Sequence, residues 1–425
     1  MGIISLRRQL GYALLLFLLL LLAVPQAGYE YDMGFWVRWA THIFEHGLGN
    51  VYQVADNNYN PLYHYILWLY GKLTGSVEKL VHYRHWLKAF TLVFDFAGAF
   101  WAASLAPDRT RRFGLALLLL LNIGYLYNTL IWIQVDSIYT FFAFGALVLA
   151  QQQRPIASLM CFVLALAAKI QAIIFLPPLL LLWIPQWWHR PRQLVGAIAA
   201  GITLAVLLLA PFIWWSWESY LPRIIELNIK AAELYPKVSM GAYNVWHLLL
   251  PKALLESEAD TLPFNGLTYR SWGLLLFCAS SAIALLPLLL AAWRSVRVRS
   301  VGSPNIALVL LSSGSIPLLF TFFNTQMHER YWHAAILFLA AYGFMQRDYL
   351  PYILASCAYF LNLENILRYL QLFNYNVLLF QPWFIALLFA LTVAIVLFKI
   401  YHLSPLRQKI KATSIELPNS KDSTL

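Results

Sequence analysis

In "FTFFNTQMHERYWHAAILFLA", residues 320–340, His328, Glu329 and Arg330 interrupt two apolar runs. A charged triplet there is costly unless it sits at a membrane surface or does chemistry. Asp32 in "GYEYDMGFWVRW", Asp136 in "NTLIWIQVDSIYTFF" and Lys169 in "ALAAKIQAIIFLPP" raise the same question. A carboxylate can take a proton from an acceptor hydroxyl. Arginine can hold a pair of phosphate oxygens bidentately, and histidine can add a donor. Such a set suits a substrate with a phosphate at headgroup level and a polar group above it, which describes a sugar linked to a lipid phosphate. The lipid tail would lie among helices, and the sugar would face loops rich in Trp and Tyr. Plainer explanations stay open for single residues: a helix N-cap for Asp32, a bond to Gln134 or a helix N-terminus for Asp136, and snorkelling for Lys169.

The elements that must position these residues are membrane helices. The chain is 61% hydrophobic and 12% charged, where a soluble domain has roughly 25% charged residues. Apolar runs long enough to cross a bilayer, about 20 residues each, recur along it. We expect an all-α polytopic membrane protein of about twelve spans, near 10–27, 87–106, 113–130, 137–152, 155–170, 172–188, 193–213, 271–293, 305–323, 332–346, 349–363 and 383–402. The first run carries Arg7 and Arg8 before it, but Val24-Pro25-Gln26 is a poor cleavage site, so it reads as an uncleaved helix rather than a signal peptide.

With the N-terminus in the cytoplasm, the basic residues collect on one side: Arg7, Arg8, the Arg109–Arg112 cluster, Arg154, Arg190, Arg192, Arg294–Arg299, Arg347 and the tail. Short loops follow the positive-inside bias, so the net charge of +11 needs no nucleic acid. Two outer segments are long, about 28–86 and 214–270. Residues 1–402 read as one transmembrane domain and 403–425 as a polar cytoplasmic tail. "NYNPLYHYILWLYGKL" is too short to cross between Pro61 and Leu73, and reads as a helix on the outer surface. Phe35, Trp36, Trp39, Ile43 and Phe44 have the spacing of an interfacial helix after Asp32. This topology brings Asp32, Asp136, Lys169, His328 and Arg330 to one side of the membrane. Cys161, Cys278 and Cys357 lie inside apolar runs and read as packing residues.

The motifs "YDMGFWVRW", "NYNPLYHYIL", "WIQVDSIY", "AAKIQAIIFLPPLLLL" and "FNTQMHERYWHAAI" follow the order found in GT-C glycosyltransferases. Over most of residues 28–333 the chain resembles the bacterial integral-membrane group related to GPI mannosyltransferase II. The resemblance implies inverting transfer of mannose or another hexose from a polyprenyl-phosphate sugar to a lipid or glycan acceptor. It implies Asp32 as the general base, and His328 and Arg330 near the donor phosphate. Asp136, Gln134, Lys169, Glu329, Tyr331, Asn60 and Tyr63 complete the expected substrate-binding set.

Two other functions compete. A transporter or flippase would place ionisable groups near the midplane, on broken helices within repeats. Here Asp95 is the one acid expected well inside a span, and no repeat is evident. A glycan polymerase or ligase would also carry an outer active loop. Some GT-C enzymes need a divalent cation. With no His/Cys cluster and no carboxylate trio in one loop, metal independence is expected here. The absence of N-x-S/T sequons favours a bacterial inner membrane over the endoplasmic reticulum.

Overall fold

The computed structural model describes residues 5–24, 30–233, 235–298 and 302–404. The expected tail beyond Ser404, the end of the first apolar run and Arg299 lie outside the described residues. Among the described residues the chain is almost wholly helical, apart from isolated bridges and one two-stranded hairpin. That hairpin pairs Pro263–Phe264 with Leu267–Thr268. Its turn is Asn265-Gly266, both at positive φ, which is the turn that suits two-residue hairpins.

This is a multi-pass membrane protein. Among the described residues seven helices are long and apolar enough to cross: Leu6–Ala23, Arg84–Ser104, Ile170–His189, Pro191–Trp214, Tyr269–Arg297, Ile306–Phe323 and Pro382–Leu403. An eighth crossing is made if Arg109–Leu120 and Ile123–Leu130, bent by 57°, count as one. Asn122 makes that break, because its side chain accepts from Tyr125 N and caps the second piece. Within the described residues the expected spans overlap helices, 113–130 falling on that bent pair. Asp136–Gln151, Pro155–Ala168 and His333–Gln346 nevertheless have only 16, 14 and 14 residues. At 1.5 Å per residue they cover less than the roughly 30 Å of hydrocarbon. Asp136–Gln151 and His333–Gln346 sit inside the bundle, largely covered by other helices, while Pro155–Ala168 keeps an exposed face.

Of the seven long apolar helices, Ile306–Phe323 is the most buried. Gly314 lets it close on the next helix, since a Cβ there would lie 2.7 Å from Phe338 Cβ. At one end of the bundle, Gln151 and Gln153 donate to Pro304 O and Ser303 Oγ, His189 meets Ser295 O, and Lys399 pairs with Asp348. This is the end of the basic clusters. At the other end lie the two long segments.

The first long segment does contain the expected short helix. Pro61–Thr74 is a 14-residue helix, closed by Gly75 in the left-handed conformation. It packs on the helix Glu30–His46, whose buried stripe is Met33, Trp36, Trp39, Ala40 and Ile43. Phe35 and Phe44, expected on that stripe, lie beside it, and Phe44 is exposed. Tyr65 Oη donates to Leu208 O, and Trp217 N donates to Asn50 Oδ1. These bonds tie the segment to the end of Pro191–Trp214.

Candidate functional site

The helix Glu30–His46 begins two residues before Asp32, so Asp32 stands in its first turn and is not an N-cap. Trp36 and Trp39 anchor this turn by packing their rings on Tyr59 and Tyr63. Gln134 Nε2 donates to Asp32 Oδ2. The neighbouring carboxylate of Glu30 is turned away, accepting from Arg84 Nη2 at 3.3 Å.

Gln134 comes from a tight turn. Ile133 before it has φ 56°, a left-handed backbone that is strained for a β-branched residue. Gln134 N donates back to Asn128 O at 2.8 Å and locks the turn. Two residues on, Asp136 opens the helix Asp136–Gln151 and is fully buried. A carboxylate in a first turn is favoured by the helix dipole. Its partner is Lys169, with Nζ 2.6 Å from Oδ1. Lys169 is therefore paired inside the protein and does not snorkel, and Gln134 is spent on Asp32 rather than on Asp136.

Arg330 lies in the short 3-10 turn Glu329–Trp332. Its Nη1 donates to Glu329 Oε1 at 3.2 Å, and its Nε is 4.0 Å from Asp136 Oδ2 with no hydrogen bond of its own. Gly241 makes room for Glu329: at φ 101° it has no Cβ, and one would sit 2.7 Å from Glu329 Oε2. Asp136 thus stands behind both cations, and the sequence-distant residues Asp32, Gln134, Asp136, Lys169, Glu329 and Arg330 meet at one place.

Beside them is a cavity of about 460 Å³. Lys169, Arg330, Tyr331, Asn60, Gln171 and Arg270 give it a polar wall. Ile173, Ile174, Leu227, Leu274 and Phe320 give it an apolar one. Ile173 and Leu274 are exposed on two of the helices long and apolar enough to cross a membrane, so the apolar wall runs out to the apolar outer surface of the bundle. Gln171 Nε2 donates to Tyr331 Oη at 3.2 Å, and Lys169 Nζ stands 5.2 Å over the Tyr331 ring.

Of the expected residues, Lys169, Arg330, Tyr331 and Asn60 line this cavity, while Asp32, Gln134, Asp136, His328, Glu329 and Tyr63 stand outside its wall. Asp136 and Glu329 hold the two cations from behind. Gln134 orients Asp32 and does not reach the wall, because its amide is committed to that carboxylate. Tyr63 packs against Trp36. Asn60 Nδ2 donates to Leu166 O at 2.8 Å and to Asn228 Oδ1 at 3.1 Å, joining the first long segment to the second. His328 Nδ1 is 4.0 Å from Glu329 Oε2, and its ring meets Tyr235 and Tyr331 edge-on. Its Nε2 is buried with no hydrogen bond.

The electrostatics divide the roles. Burial, with Arg330 and Lys169 nearby, pulls the His328 imidazole well below its usual value, so it is neutral and offers one N–H. Burial lowers the Lys169 ammonium, against the pull of Asp136. Burial also opposes the Arg330 charge, but Glu329, Tyr331, Asp136 and Asp32 outweigh it and raise its value further. Burial raises the Glu329 carboxyl despite Arg330. Arg330 and Arg270 are permanent cations on the wall, and the charge of Arg330 interacts with Asp32.

Three features had no clear sequence signal. Tyr59 is half-buried on the cavity wall and feels Asp32 and Arg330 together; it sits within the quoted "NYNPLYHYIL" but carries no charge to draw notice. The strain at Ile133 cannot be read from residue type. Asp260 is fully buried and holds three residues that line the cavity. It accepts from Arg270 Nε and Nη2 at 3.0 Å each, from Thr325 Oγ1 at 2.8 Å and from Gln326 Nε2 at 2.7 Å. Among the described residues no group of three His, Cys, Asp or Glu is placed to hold a metal ion. No protein-family model matches the chain, and no curated protein matches it.

Proposed function

We propose that this protein is a membrane glycosyltransferase. It moves a hexose from a polyprenyl-phosphate donor to a lipid or glycan acceptor, with inversion. One observation carries the reading. An oriented carboxylate, Asp32, lies close enough to a permanent cation, Arg330, for their charges to interact, and Arg330 lines a cavity that is charged on one wall and apolar on the other. The cavity suits a donor whose phosphate contacts Arg330 and Lys169 while its first isoprene units lie along Ile173, Leu274 and Phe320.

In this reading the acceptor hydroxyl attacks the anomeric carbon from the face opposite the phosphate. Asp32 takes its proton as the bond forms. The phosphate leaves as a monoester with more negative charge than the diester had. Arg330 gains interaction as that charge grows, so it lowers the barrier. The neutral His328 adds an N–H to a phosphate oxygen. Each step uses residues of this chain alone.

The reading also takes the basic end of the bundle as cytoplasmic, the site as extracytoplasmic and the membrane as a bacterial inner membrane. The short helices then serve with the long ones as about twelve crossings in a locally thinned or protein-lined path. The test is incubation of purified protein with a radiolabelled polyprenyl-phosphate hexose and a membrane lipid extract. Sugar transfer with equimolar release of polyprenyl phosphate supports the reading. Movement of intact donor across vesicles without transfer would replace it with a flippase.

A further inference from the structure

A second polar cluster shares no residue with the cavity wall. Asp95, Ser137 and His333 come from three helices and are all buried. Ser137 Oγ donates to Asp95 Oδ1 at 2.6 Å, and it lies 3.0 Å from His333 Nε2 and 3.0 Å from Thr129 Oγ1. A hydroxyl has one proton and two lone pairs. With Ser137 donating to Asp95, it accepts from Thr129 and from His333 Nε2–H, and its capacity is full. Tyr125 stacks on the imidazole, with ring centroids 4.9 Å apart.

Among the described residues no Lys or Arg is within ion-pair distance of Asp95; the His333 Nε2 atom stands 3.7 Å from its Oδ1. The first turns of two helices, Asp136–Gln151 and His333–Gln346, are brought to this carboxylate. Helix N-termini carry partial positive charge that favours an anion. Ser137 directly follows Asp136, and His333 is three residues after Arg330. One cluster therefore ties the helix start that carries Asp136 to the helix start that follows Arg330, with Asp95 on a third helix as the hub.

We propose that Asp95, Ser137 and His333 are positioning residues for phosphate binding. They hold Arg330 at its 4.0 Å separation from Asp136, with Nε free for a ligand. The proposal rests on the transferase reading above. Without the Ser137 hydroxyl, Asp95 and His333 are left 3.7 Å apart, beyond hydrogen-bond range. The two helix starts lose their link, and Arg330 loses its fixed place.

The experiment measures binding of a polyprenyl monophosphate to the purified full-length protein by calorimetry. It compares wild type, Ser137→Ala, Arg330→Ala and the double variant. We expect Ser137→Ala to weaken binding about tenfold, within the range of couplings in one hydrogen-bonded network. In the Arg330→Ala background the Ser137 change should add nothing, because its effect passes through Arg330. Should Ser137→Ala fail to fold, His333→Phe keeps the stack on Tyr125, removes Nε2 and must give the same two results. Wild-type affinity in the folded single variant, or a loss that adds fully to that of Arg330→Ala, overturns the positioning role and leaves the transferase reading intact. A folded wild type that binds no polyprenyl phosphate overturns the transferase reading and this role together.

Discussion

Lys169 Nζ lies 2.6 Å from Asp136 Oδ1, with the lysine side chain 12% exposed and the aspartate not exposed at all. Removing one partner of a buried pair strands the other charge, which costs about 3–5 kcal/mol. Asp136→Asn and Lys169→Met should each lower thermal stability in detergent clearly. The double variant should recover much of the loss. Additive losses in this double-mutant cycle would show that the pair is not energetically coupled.

Arg330→Ala should lower kcat/KM for sugar transfer about 100-fold or more, the scale of one removed transition-state donor, roughly 3 kcal/mol. Arg330→Lys keeps charge but loses the fork, so its loss should be smaller. A surface anchor would show no effect on turnover. Arg330 has a side chain only 16% exposed and an unused Nε, which suits the larger effect.

Asp260→Ala should loosen the wall formed by Arg270, Thr325 and Gln326. Four bonds to one buried carboxylate are lost together, and each donor left buried costs about 1–3 kcal/mol. Limited proteolysis within residues 235–270 should become faster than in wild type. Unchanged cleavage would mean that the wall is held by its apolar packing, chiefly around Trp246 and Tyr269.

Much of the site was legible in the sequence because topology sorts charges before geometry does. The short apolar length of residues 61–73 argued against a crossing, and that expectation put the loops of Asp32, Asp136, Lys169 and Arg330 on one side. The pairings themselves were not legible. Asp136 joins Lys169 across 33 positions and Gln134 joins Asp32 across 102, distances at which no periodic signal survives. The twelve apolar runs gave helices, yet run length alone cannot separate a lipid-facing span from a short helix sheathed by others, such as Asp136–Gln151. Asp260 sits in a loop whose residue pattern carries no register at all, and it reaches Arg270 in the first turn of the helix Tyr269–Arg297.

His64 gives a pH signature. It lies in the surface helix, where burial lowers its value to about 3 from 6.5. The folded protein therefore holds the neutral ring, and the unfolded chain takes up a proton below 6.5. Its contribution to stability is full above that value and is lost as pH falls from 6.5 toward 3. His64 Nε2 meets Tyr59 O at 3.2 Å, so the loss bears on the loop beside Asp32. Melting temperature measured from pH 7 to pH 4.5 should fall less steeply in His64→Gln than in wild type. Parallel curves would assign the acid sensitivity to other groups.

The central claim is that Asp32 accepts the proton of the acceptor. Asp32→Asn keeps the shape and a bond to Gln134 while removing the basic oxygen. Turnover of a radiolabelled polyprenyl-phosphate hexose should be measured for Asp32→Asn, Glu30→Gln and Asp136→Asn, each alongside its affinity for the donor. The account predicts that Asp32→Asn binds donor as wild type does and loses about 100-fold or more in transfer, within the range set by one general base. It predicts that Glu30→Gln, whose side chain is held by Arg84, transfers normally. Near-normal turnover in Asp32→Asn, with transfer lost in either of the other two, would contradict it.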